Sequence, residues 1–283
     1  MALPQYMIAY SQEAMKKFLS LLLLALVCGL QAQAQCSSKN TAFSSGETLI
    51  YDLYFNWKFV WIKAGTASMN ITRTTYNGQP AYKSYLYTRG SKRADDIFKM
   101  RDTLTAYTTL DLVPQYYKKG SFEGKTYRRE DVWYSYPNGE CKVKMRYQRD
   151  NNPASTETFS SQYCAFDMIS MLMRARSFDP TGWKVGHRIR FIMASGKRCE
   201  WQSIVYRGKK KFKIEGTNTT YRCLVFSFME KDKKGKEKEI VKFYITDDAN
   251  HLPVRLDLNL NFGTAKAYLT GAKGLRNPQT SKL

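Results

Sequence analysis

Residue types on which many catalytic and metal sites depend are scarce in this sequence. Only two histidines occur, His187 and His251, and no two cysteines stand in a C-x-x-C pair. Because zinc sites and thioredoxin-like centres need such ligands, the sequence predicts no metal and no cofactor. The motifs G-x-S-x-G and S-x-x-K are also missing. Their absence argues against acyl transfer by an activated serine, and no catalytic residue is predicted.

Long apolar stretches are confined to one place near the amino terminus. A run from Phe18 to Leu30 follows Lys16-Lys17 and precedes the small-residue sequence Ala32-Gln33-Ala34. This order is typical of a cleaved secretory signal peptide, which we assign to residues 15–34. No later stretch reaches the ~20 apolar residues that a transmembrane helix needs. The sequence therefore predicts export to the periplasm or cell envelope.

The rest of the chain is long enough for one domain with a substantial core. Residues 1–14 carry no targeting pattern and are interpreted as an upstream extension. Residues 35–275 are predicted to form a single β domain, because all-β domains of this size commonly fold as one unit. The tail at 276–283 is predicted to be disordered. A lipid anchor is disfavoured, since Cys36 follows Gln35 rather than a small residue.

Acidic residues are few relative to basic ones. The chain has 45 Lys and Arg against 24 Asp and Glu, a net charge of +21, and loss of the signal peptide leaves it almost unchanged. A field of this sign attracts polyanions. For an exported protein we expect an envelope lipid, an anionic glycan or a membrane surface as partner, and no nucleic acid. The alternative is that the charge only sets solubility. The oligomeric state stays open.

Cysteine is sparse as well. The five that remain after signal cleavage are Cys36, Cys141, Cys164, Cys199 and Cys223. An odd number in an oxidising compartment allows one or two disulfides and leaves a thiol over. The spacing does not settle which residues pair.

Alternation of apolar and polar residues with a period of two is abundant. Such alternation places every second side chain on the same face of a strand. The longest runs are Leu49 to Trp57 and Val254 to Phe262. Turn pairs of hairpin type separate the runs, at Asn77-Gly78, Asn138-Gly139, Ser195-Gly196 and Lys234-Gly235. The predicted fold class is mainly β, a curved antiparallel meander that forms a barrel or half-barrel.

Two stretches break this period, and a third is a candidate loop. Apolar residues recur at helical spacing from Ala165 to Ser177, with Pro180 beyond, which predicts a helix over 165–177 that covers the sheet. The charged stretch from Ser91 to Met100 is predicted to be weakly helical. The polar stretch from Asn151 to Ser161 is predicted to be a long loop, and it is the best candidate for a division into two half-sheets.

Short motifs spread along the chain carry a family resemblance. They are Gly46-Glu47-x-Leu49-x-Tyr51, Ala64-Gly65-x-Ala67, Asp102, Phe166-Asp167-Met168-Ile169-Ser170 with Arg174, Gly186, and Ile245-Thr246-Asp247-Asp248 leading to Pro253-Val254. With these motifs in order, the sequence from Phe43 to Gly271 resembles the domain-of-unknown-function family 3108 of exported Gram-negative envelope proteins. The resemblance implies an exported antiparallel β domain of barrel-like shape. It implies no activity.

Three residues of these motifs are candidates for a structural role or a polar site. Asp167 and Arg174 are seven residues apart and would share one face of the predicted helix. They could order the helix against the sheet or hold a polar ligand, and the structural role is favoured because buried charges need partners. Asp102 lies near Asp95 and Asp96, and close carboxylates can share acid and base roles. The neighbouring lysines and arginines favour a salt-bridged loop instead.

Three basic runs complete the set of candidate sites. Arg207 to Lys211 and Lys231 to Lys238 are predicted to lie at hairpin tips, where lysine prevents sheet edges from pairing. The third run mixes cations with aromatic rings, which suits sugar or phosphate binding. We predict that it is the ligand surface. Its members are Tyr116, Tyr117, Lys118, Lys119, Lys125, Tyr127, Arg128 and Arg129.

The function that these observations predict is a non-enzymatic binder or carrier of an apolar or anionic envelope component, a lipid or a glycan. Two alternatives stay open: an enzyme that acts on anionic polysaccharide through carboxylates, and a scaffold partner of an outer-membrane assembly. A carrier requires a continuous apolar hollow, and an enzyme requires convergent carboxylates. A scaffold should expose an apolar patch.

Overall fold

The structure is a computed structural model that describes residues 36–57, 60–95, 99–215, 217–232, 234–260 and 263–283. The predicted upstream extension and signal peptide lie outside these residues, as do Asp96 and Phe262. The described strands are β1 Thr48–Trp57, β2 Val60–Tyr76, β3 Gln79–Gly90, β4 Met100–Thr109, β5 Pro114–Glu123, β6 Thr126–Ser135, β7 Cys141–Arg149, β8 Ser155–Ser161, β9 Ala165–Phe166, β10 Arg188–Ser195, β11 Arg198–Lys213, β12 Thr220–Lys231, β13 Glu237–Thr246, β14 Pro253–Leu260 and β15 Gly263–Lys273. The described helices are α1 Lys92–Asp95 and α2 Met168–Ala175, with a 3-10 turn at Pro137–Gly139.

All fifteen described strands belong to one sheet. Its order is β8-β7-β6-β5-β4-β3-β2-β1-β15-β14-β13-β12-β11-β10-β9. Successive neighbours are antiparallel except β9, which runs parallel to β10. The pairing of β1 with β15 joins the two halves of the chain into a nearly closed barrel whose free edges are β8 and β9. The predicted mainly-β, barrel-like class is confirmed.

Alternation assigns each side chain to one of two faces of the sheet. The buried residues Ala106, Tyr117 and Val132 lie opposite one another on β4, β5 and β6 and belong to the main core. We call their face the concave face and the opposite one the convex face. On β4, β5 and β6 the interleaved residues therefore point away from this core. On β12, β13 and β15 both faces contribute to the core, because Val225, Tyr244 and Tyr268 lie on the convex side by register and are also core members.

The two ends of the barrel differ in burial. At the end where β1 begins, Leu49, Ile71 and Val254 are each 0% exposed. Phe43 from the segment before β1 and Ile169 from α2 pack into the same core, so this is the closed end. At the end where β1 finishes, concave residues are half-buried, and we call it the open end.

The helix is shorter than predicted. It covers Met168–Ala175 rather than 165–177, because Ala165–Phe166 pairs with β10 as a strand. Asp167 is the N-cap, and its Oδ1 accepts hydrogen bonds from the backbone N–H groups of Ile169 and Ser170. A side-chain cap of this kind satisfies donors that the first helical turn leaves unpaired. The weakly helical segment predicted before β4 is represented by α1.

The predicted long loop is wrong in most of its length. Ser155–Ser161 forms β8, which pairs with β7. Residues 162–164 connect β8 to β9, which lie at the two opposite edges of the sheet. The division of the meander therefore falls just after the predicted stretch. The polar Ser and Thr of this stretch are compatible with a strand at a sheet edge, where water reaches the backbone.

The carboxyl-terminal tail is ordered, contrary to the prediction. Ser281 is 0% exposed, and its hydroxyl donates to Asp248 Oδ2 at 2.6 Å. Lys282 forms a β-bridge with Tyr221. The amide of Asn250 donates to the carbonyl of Asn277 at 2.8 Å. Polar contacts therefore hold a segment that has little apolar content.

One basic run also lies elsewhere than predicted. Arg207 to Lys211 falls inside β11, with a register shift between Tyr206 and Gly208, and not at a hairpin tip. The described part of the run from Lys231 to Lys238 does span the turn between β12 and β13.

A disulfide joins Cys36 to Cys164 across 128 residues. It ties the segment before β1 to the residue that precedes β9. Cys141, Cys199 and Cys223 are thiols. In the described residues, no helix combines the length and the apolarity needed to cross a membrane.

Candidate functional site

The predicted ligand surface is split by the alternation of two strands. Tyr117, Lys119 and Arg128 lie on the concave face, while Tyr116, Lys118, Tyr127 and Arg129 lie on the convex face. Lys125 is exposed in the turn between β5 and β6. Adjacent residues of one strand point in opposite directions, so the eight residues do not form one surface.

The open end has an apolar wall formed by two rows of residues that run across five neighbouring strands. The register places Leu53, Ala267, Leu256, Phe243 and Phe226 side by side, and likewise Phe55, Ala265, Leu258, Val241 and Phe228. All except Ala267 are half-buried. We call these residues the apolar arc.

The apolar arc stands out against its continuation toward the closed end. Leu224, on the same face of β12, is 2% exposed, and Val254, on β14, is 0% exposed. The same kinds of residue are thus fully buried at one end and half-buried at the other. On β12 the arc is partly covered by the chain itself, since the ring centroid of Phe226 lies 6.2 Å from that of Trp183 and Phe228 packs against the cluster of Phe166, Met171 and Phe191. Contiguous half-buried apolar side chains of this kind make the apolar arc a candidate binding surface for an apolar molecule.

The other half of the concave face is polar at the same end. Its members, the polar arc, are Thr88, Asp102, Lys119, Ser121, Glu123, Arg128 and Glu130. Arg128 forms an ion pair with Glu123, which also accepts from the hydroxyl of Ser121 at 2.9 Å. Glu130 accepts from the backbone N–H of Gly196 at 3.0 Å, linking β6 to the β10–β11 turn.

Asp102 is the least satisfied member of the polar arc. Its Oδ1 is buried and has no hydrogen-bond partner among the described residues. Burial raises the pKa of Asp102, opposed by the hydroxyl of Ser121 and the charge of Lys119. The salt-bridged loop expected around it is partly present, since Asp95 pairs with Arg101 at 2.6 Å, but Asp102 itself points to the concave face.

The carboxylates of the polar arc are mostly committed to structural contacts. Glu123 is neutralised by Arg128, and Glu130 holds a backbone N–H. A glycosidase-type site needs two carboxylates free to take and give protons. Burial also raises the pKa of the Cys199 and Cys223 thiols to about 12, which keeps them protonated at neutral pH. Among the carboxylates of the polar arc, only Asp102 is left without such a structural contact in the described part of the chain.

Asp167 and Arg174 serve separate structural contacts. Asp167 is 0% exposed, and its Oδ2 accepts from the hydroxyls of Ser170 at 2.6 Å and Tyr134 at 3.4 Å. Burial raises the pKa of Asp167 to about 6. Arg174 instead donates to the carbonyl of Cys36 at 2.6 Å and lies 5.1 Å from the ring centroid of Phe166. The two residues hold the two ends of α2 rather than one ligand.

Sequence reasoning missed the ion pair that organises the closed end. Arg176 and Glu47 are bonded through two nitrogens, at 2.5 and 2.9 Å, and both side chains are 1% exposed. Arg176 also donates to the carbonyl of Asn250 at 3.0 Å, and its own carbonyl lies 2.6 Å from Nδ1 of His251. Glu47 was visible in a family motif, but no spacing rule links it to a residue 129 positions away.

A cleft of about 280 Å³ lies beside the open end. It is lined by Arg188, Arg190, Trp201, Gln202, Ser203, Met229, Glu230, Lys231 and Glu237. Arg188 forms a bidentate ion pair with Glu237, at 2.5 and 2.9 Å, and Arg190 lies 5.3 Å from the centroid of Trp201. Because Arg188 and Glu237 already pair with each other and most of the lining is charged or polar, the cleft is a weaker candidate for an apolar ligand than the apolar arc.

These features define a barrel-like β protein with a two-sided concave face and no assembled catalytic group among the described residues. The chain belongs to the family described as a protein of unknown function, DUF3108, which matches residues 50–270. That match confirms the family resemblance drawn from the sequence motifs. No curated protein matches the sequence significantly.

Two solved structures resemble the fold. One is a β-barrel-like protein of the domain of unknown function DUF1849 from Brucella abortus, with a TM-score of 0.52, 11% identity, and coverage of 84% of this chain and 100% of that chain. The other is a protein from Bacteroides fragilis with a YmcC-like fold that is predicted to be exported, with a TM-score of 0.37, 8% identity, and coverage of 83% and 99%. Because the sequence identity to the Brucella abortus protein is 11%, that likeness concerns the fold alone.

Proposed function

We propose that this protein is a non-enzymatic binder of a lipid in the cell envelope, with the acyl part of the lipid on the apolar arc. The observation that carries the proposal is the pair of half-buried apolar rows across five strands at the open end. Covering such rows with a hydrocarbon chain would remove apolar surface from water, which contributes roughly 25 cal/mol per Å².

The polar arc supports a ligand that also has a polar headgroup. It occupies the neighbouring part of the same concave face and contains Lys119, which has no carboxylate within 4.0 Å among the described residues. Asp102 adds a buried oxygen that lacks a partner. A headgroup with both an acidic oxygen and a donor would complement these two residues.

The disulfide supports the envelope location. Disulfides form and persist in oxidising compartments, and Cys36–Cys164 closes a long loop near the start of the described chain. The signal-peptide pattern at residues 15–34 points to the same compartment.

The test is direct measurement of lipid binding with a matched pair of variants. A fluorescent polyene fatty acid serves as the probe, and native mass spectrometry of the purified protein detects co-purifying lipid. Val241 and Leu258 lie opposite each other in the apolar arc, and Lys242 and Asp257 are their neighbours on the other face of the sheet. We expect Val241→Gln with Leu258→Gln to weaken probe binding at least about tenfold, and Lys242→Gln with Asp257→Gln to leave it unchanged.

Absence of both saturable probe binding and co-purifying lipid would overturn the proposal. Equal losses in the two double variants would also contradict it, because the effect would then not depend on the concave face.

A further inference from the structure

The convex face of β3–β7 has a one-sided charge distribution. Asp131 is the one acidic residue at the outward-facing positions of these described strands. It is 1% exposed and is engaged by Arg129 at 2.9 Å and by the hydroxyl of Tyr116 at 2.6 Å. The cations at outward-facing positions, which we call the convex basic face, are Lys83, Arg89, Arg101, Lys118, Arg129, Lys142, Lys144 and Arg146.

Half of these cations form no ion pair with a described residue. Lys83, Arg89, Lys118 and Lys144 have no carboxylate within 4.0 Å among the described residues. By contrast, Arg101 pairs with Asp95 and Lys142 with Glu140 at 3.5 Å. The face therefore presents net positive charge to solvent over five adjacent strands, a width of roughly 20 Å at the usual strand spacing.

A row of aromatic rings crosses the same face. Tyr76 and Tyr107 have ring centroids 4.9 Å apart, and Tyr116 and Trp133 have centroids 5.6 Å apart. The rings are half-buried, and Lys144 Nζ lies 5.9 Å from the centroid of Trp133. Tyrosine and tryptophan with flanking lysines are the residues enriched where protein meets the polar boundary of a lipid bilayer.

We propose that the convex basic face binds the surface of an anionic lipid bilayer. The charge is complementary, since basic clusters are attracted to acidic lipid headgroups. The face is broad, and the cleft described above lies on other strands, which fits an extended plane better than a compact ligand.

The aromatic geometry favours a bilayer over a glycan chain. Tyr76 and Tyr116 are 4° from parallel with centroids 6.1 Å apart, and Tyr107 is 6.2 Å from Tyr116. The faces of these rings are thus turned toward neighbouring rings. A sugar stacks on an open ring face, whereas a bilayer boundary accepts ring edges and hydroxyl groups.

The inference is independent of lipid binding on the concave face. The two surfaces lie on opposite sides of the sheet, so either can fail without the other. Loss of vesicle binding with retained fatty-acid binding, or the reverse, separates the two.

The experiment is co-sedimentation of the purified protein with vesicles. Vesicles of phosphatidylcholine alone are compared with vesicles that also contain phosphatidylglycerol. The test variant combines Lys83→Gln, Lys118→Gln, Lys142→Gln and Lys144→Gln. The control removes the same charge away from the convex basic face, with Lys184→Gln, Lys210→Gln, Lys211→Gln and Lys236→Gln. All except Lys83 are exposed, and Lys83 is half-buried.

We expect the protein to bind the vesicles that contain phosphatidylglycerol and not those of phosphatidylcholine alone. The affinity should fall as the salt concentration increases. The test variant should lose at least about tenfold in affinity, and the control should lose less than about threefold. If the test variant does not fold, the single change Lys118→Glu replaces it, with Lys210→Glu as its control. Equal losses in test and control, no binding to acidic vesicles, or tighter binding to a soluble polyuronate that displaces the vesicles would each overturn the proposal.

Discussion

The closed end and the open end of this barrel are built from the same strands, but their side chains differ in burial and in whether their polar groups have partners. At the closed end, Leu49 and Val254 are fully buried, and the charges of Glu47 and Arg176 are paired. At the open end, apolar residues remain half in water and Asp102 has a buried oxygen without a described partner. The closed end thus holds the interactions expected to stabilise the fold, while the open end retains unsatisfied groups that a ligand can satisfy.

This difference follows from which chain segments cover each end. The segment before β1 and the tail after β15 pack at the closed end, as do Ile169 and Met173 of helix α2. The disulfide fastens the first of these segments. Met171 of α2 belongs to the smaller cluster against which Phe228 of the apolar arc packs. A protein that concentrates its covering segments at one end keeps the other end accessible without losing the stability of the core.

The buried ion pair should have the largest effect on stability. We expect Glu47→Gln or Arg176→Met to lower the free energy of unfolding by about 3–5 kcal/mol, because either change leaves an uncompensated buried group. Urea denaturation measures the loss. The exposed pair of Arg188 with Glu237, near the open end, is the control, and Glu237→Gln should cost much less. Similar losses at the two sites would remove the contrast between the ends.

The disulfide should come next. Replacing Cys36 and Cys164 together with Ser should lower the free energy of unfolding by about 2–5 kcal/mol, since the bond restricts a long loop in the unfolded chain. Thermal unfolding with and without a reductant provides the measurement. Cys199→Ser changes a half-buried thiol and serves as the control. A melting temperature that does not respond to the reductant would show that the bond contributes no stability.

Asp167 should make stability depend on pH. Its pKa is about 6 in the folded protein and near 3.8 without burial. The folded state thus holds the proton more tightly, and stability should fall as pH rises from about 4 to about 6, on the order of 2 kcal/mol.

The matched variant is Asp167→Asn, which keeps an N-cap acceptor without the charge. Subtracting its unfolding free energy from that of the wild type at each pH isolates the effect. A flat difference across this pH range would contradict the assigned pKa.

The smallest expected loss of stability is that caused by shortening one apolar side chain at the open end, and the same change at the closed end is its comparison. Leu224→Ala at the closed end should cost about 2–5 kcal/mol, as for other fully buried leucines. Leu258→Ala should cost about 1 kcal/mol, because the half-buried leucine loses less contact and water fills the space. Unfolding free energies of the two variants test this. An equal cost would mean that the apolar arc is sealed in solution.

Much of the fold could be predicted because it depends on local pattern. The alternation from Leu49 to Trp57 corresponds to β1, and the turn at Asn77-Gly78 lies between β2 and β3. The pairing of β1 with β15 and the contact of Ser281 with Asp248 join distant parts of the chain. No local pattern encodes such contacts, which is why the ordered tail was missed.

The ligand surface predicted from the sequence stays a prediction, but its residues do not share one face. Its rings and cations lie on β5 and β6, where Tyr116 and Tyr117 are consecutive and point to opposite faces. The period of two that identified the strands was sufficient to predict this split. The apolar arc required more, because the rows through Leu256 and Phe243 exist only once the register of five strands is known.

The link from Cys36 to Cys164 has a consequence for the order in which the chain matures. Synthesis delivers residues from the amino terminus onward, so Cys141 becomes available to Cys36 before Cys164 does. Oxidation in order of appearance would join the wrong pair and leave Cys164 outside the bond. A bond between Cys36 and Cys141 would have to be broken by thiol–disulfide exchange before the native bond could form, whereas oxidation after synthesis of Cys164 would need no such step.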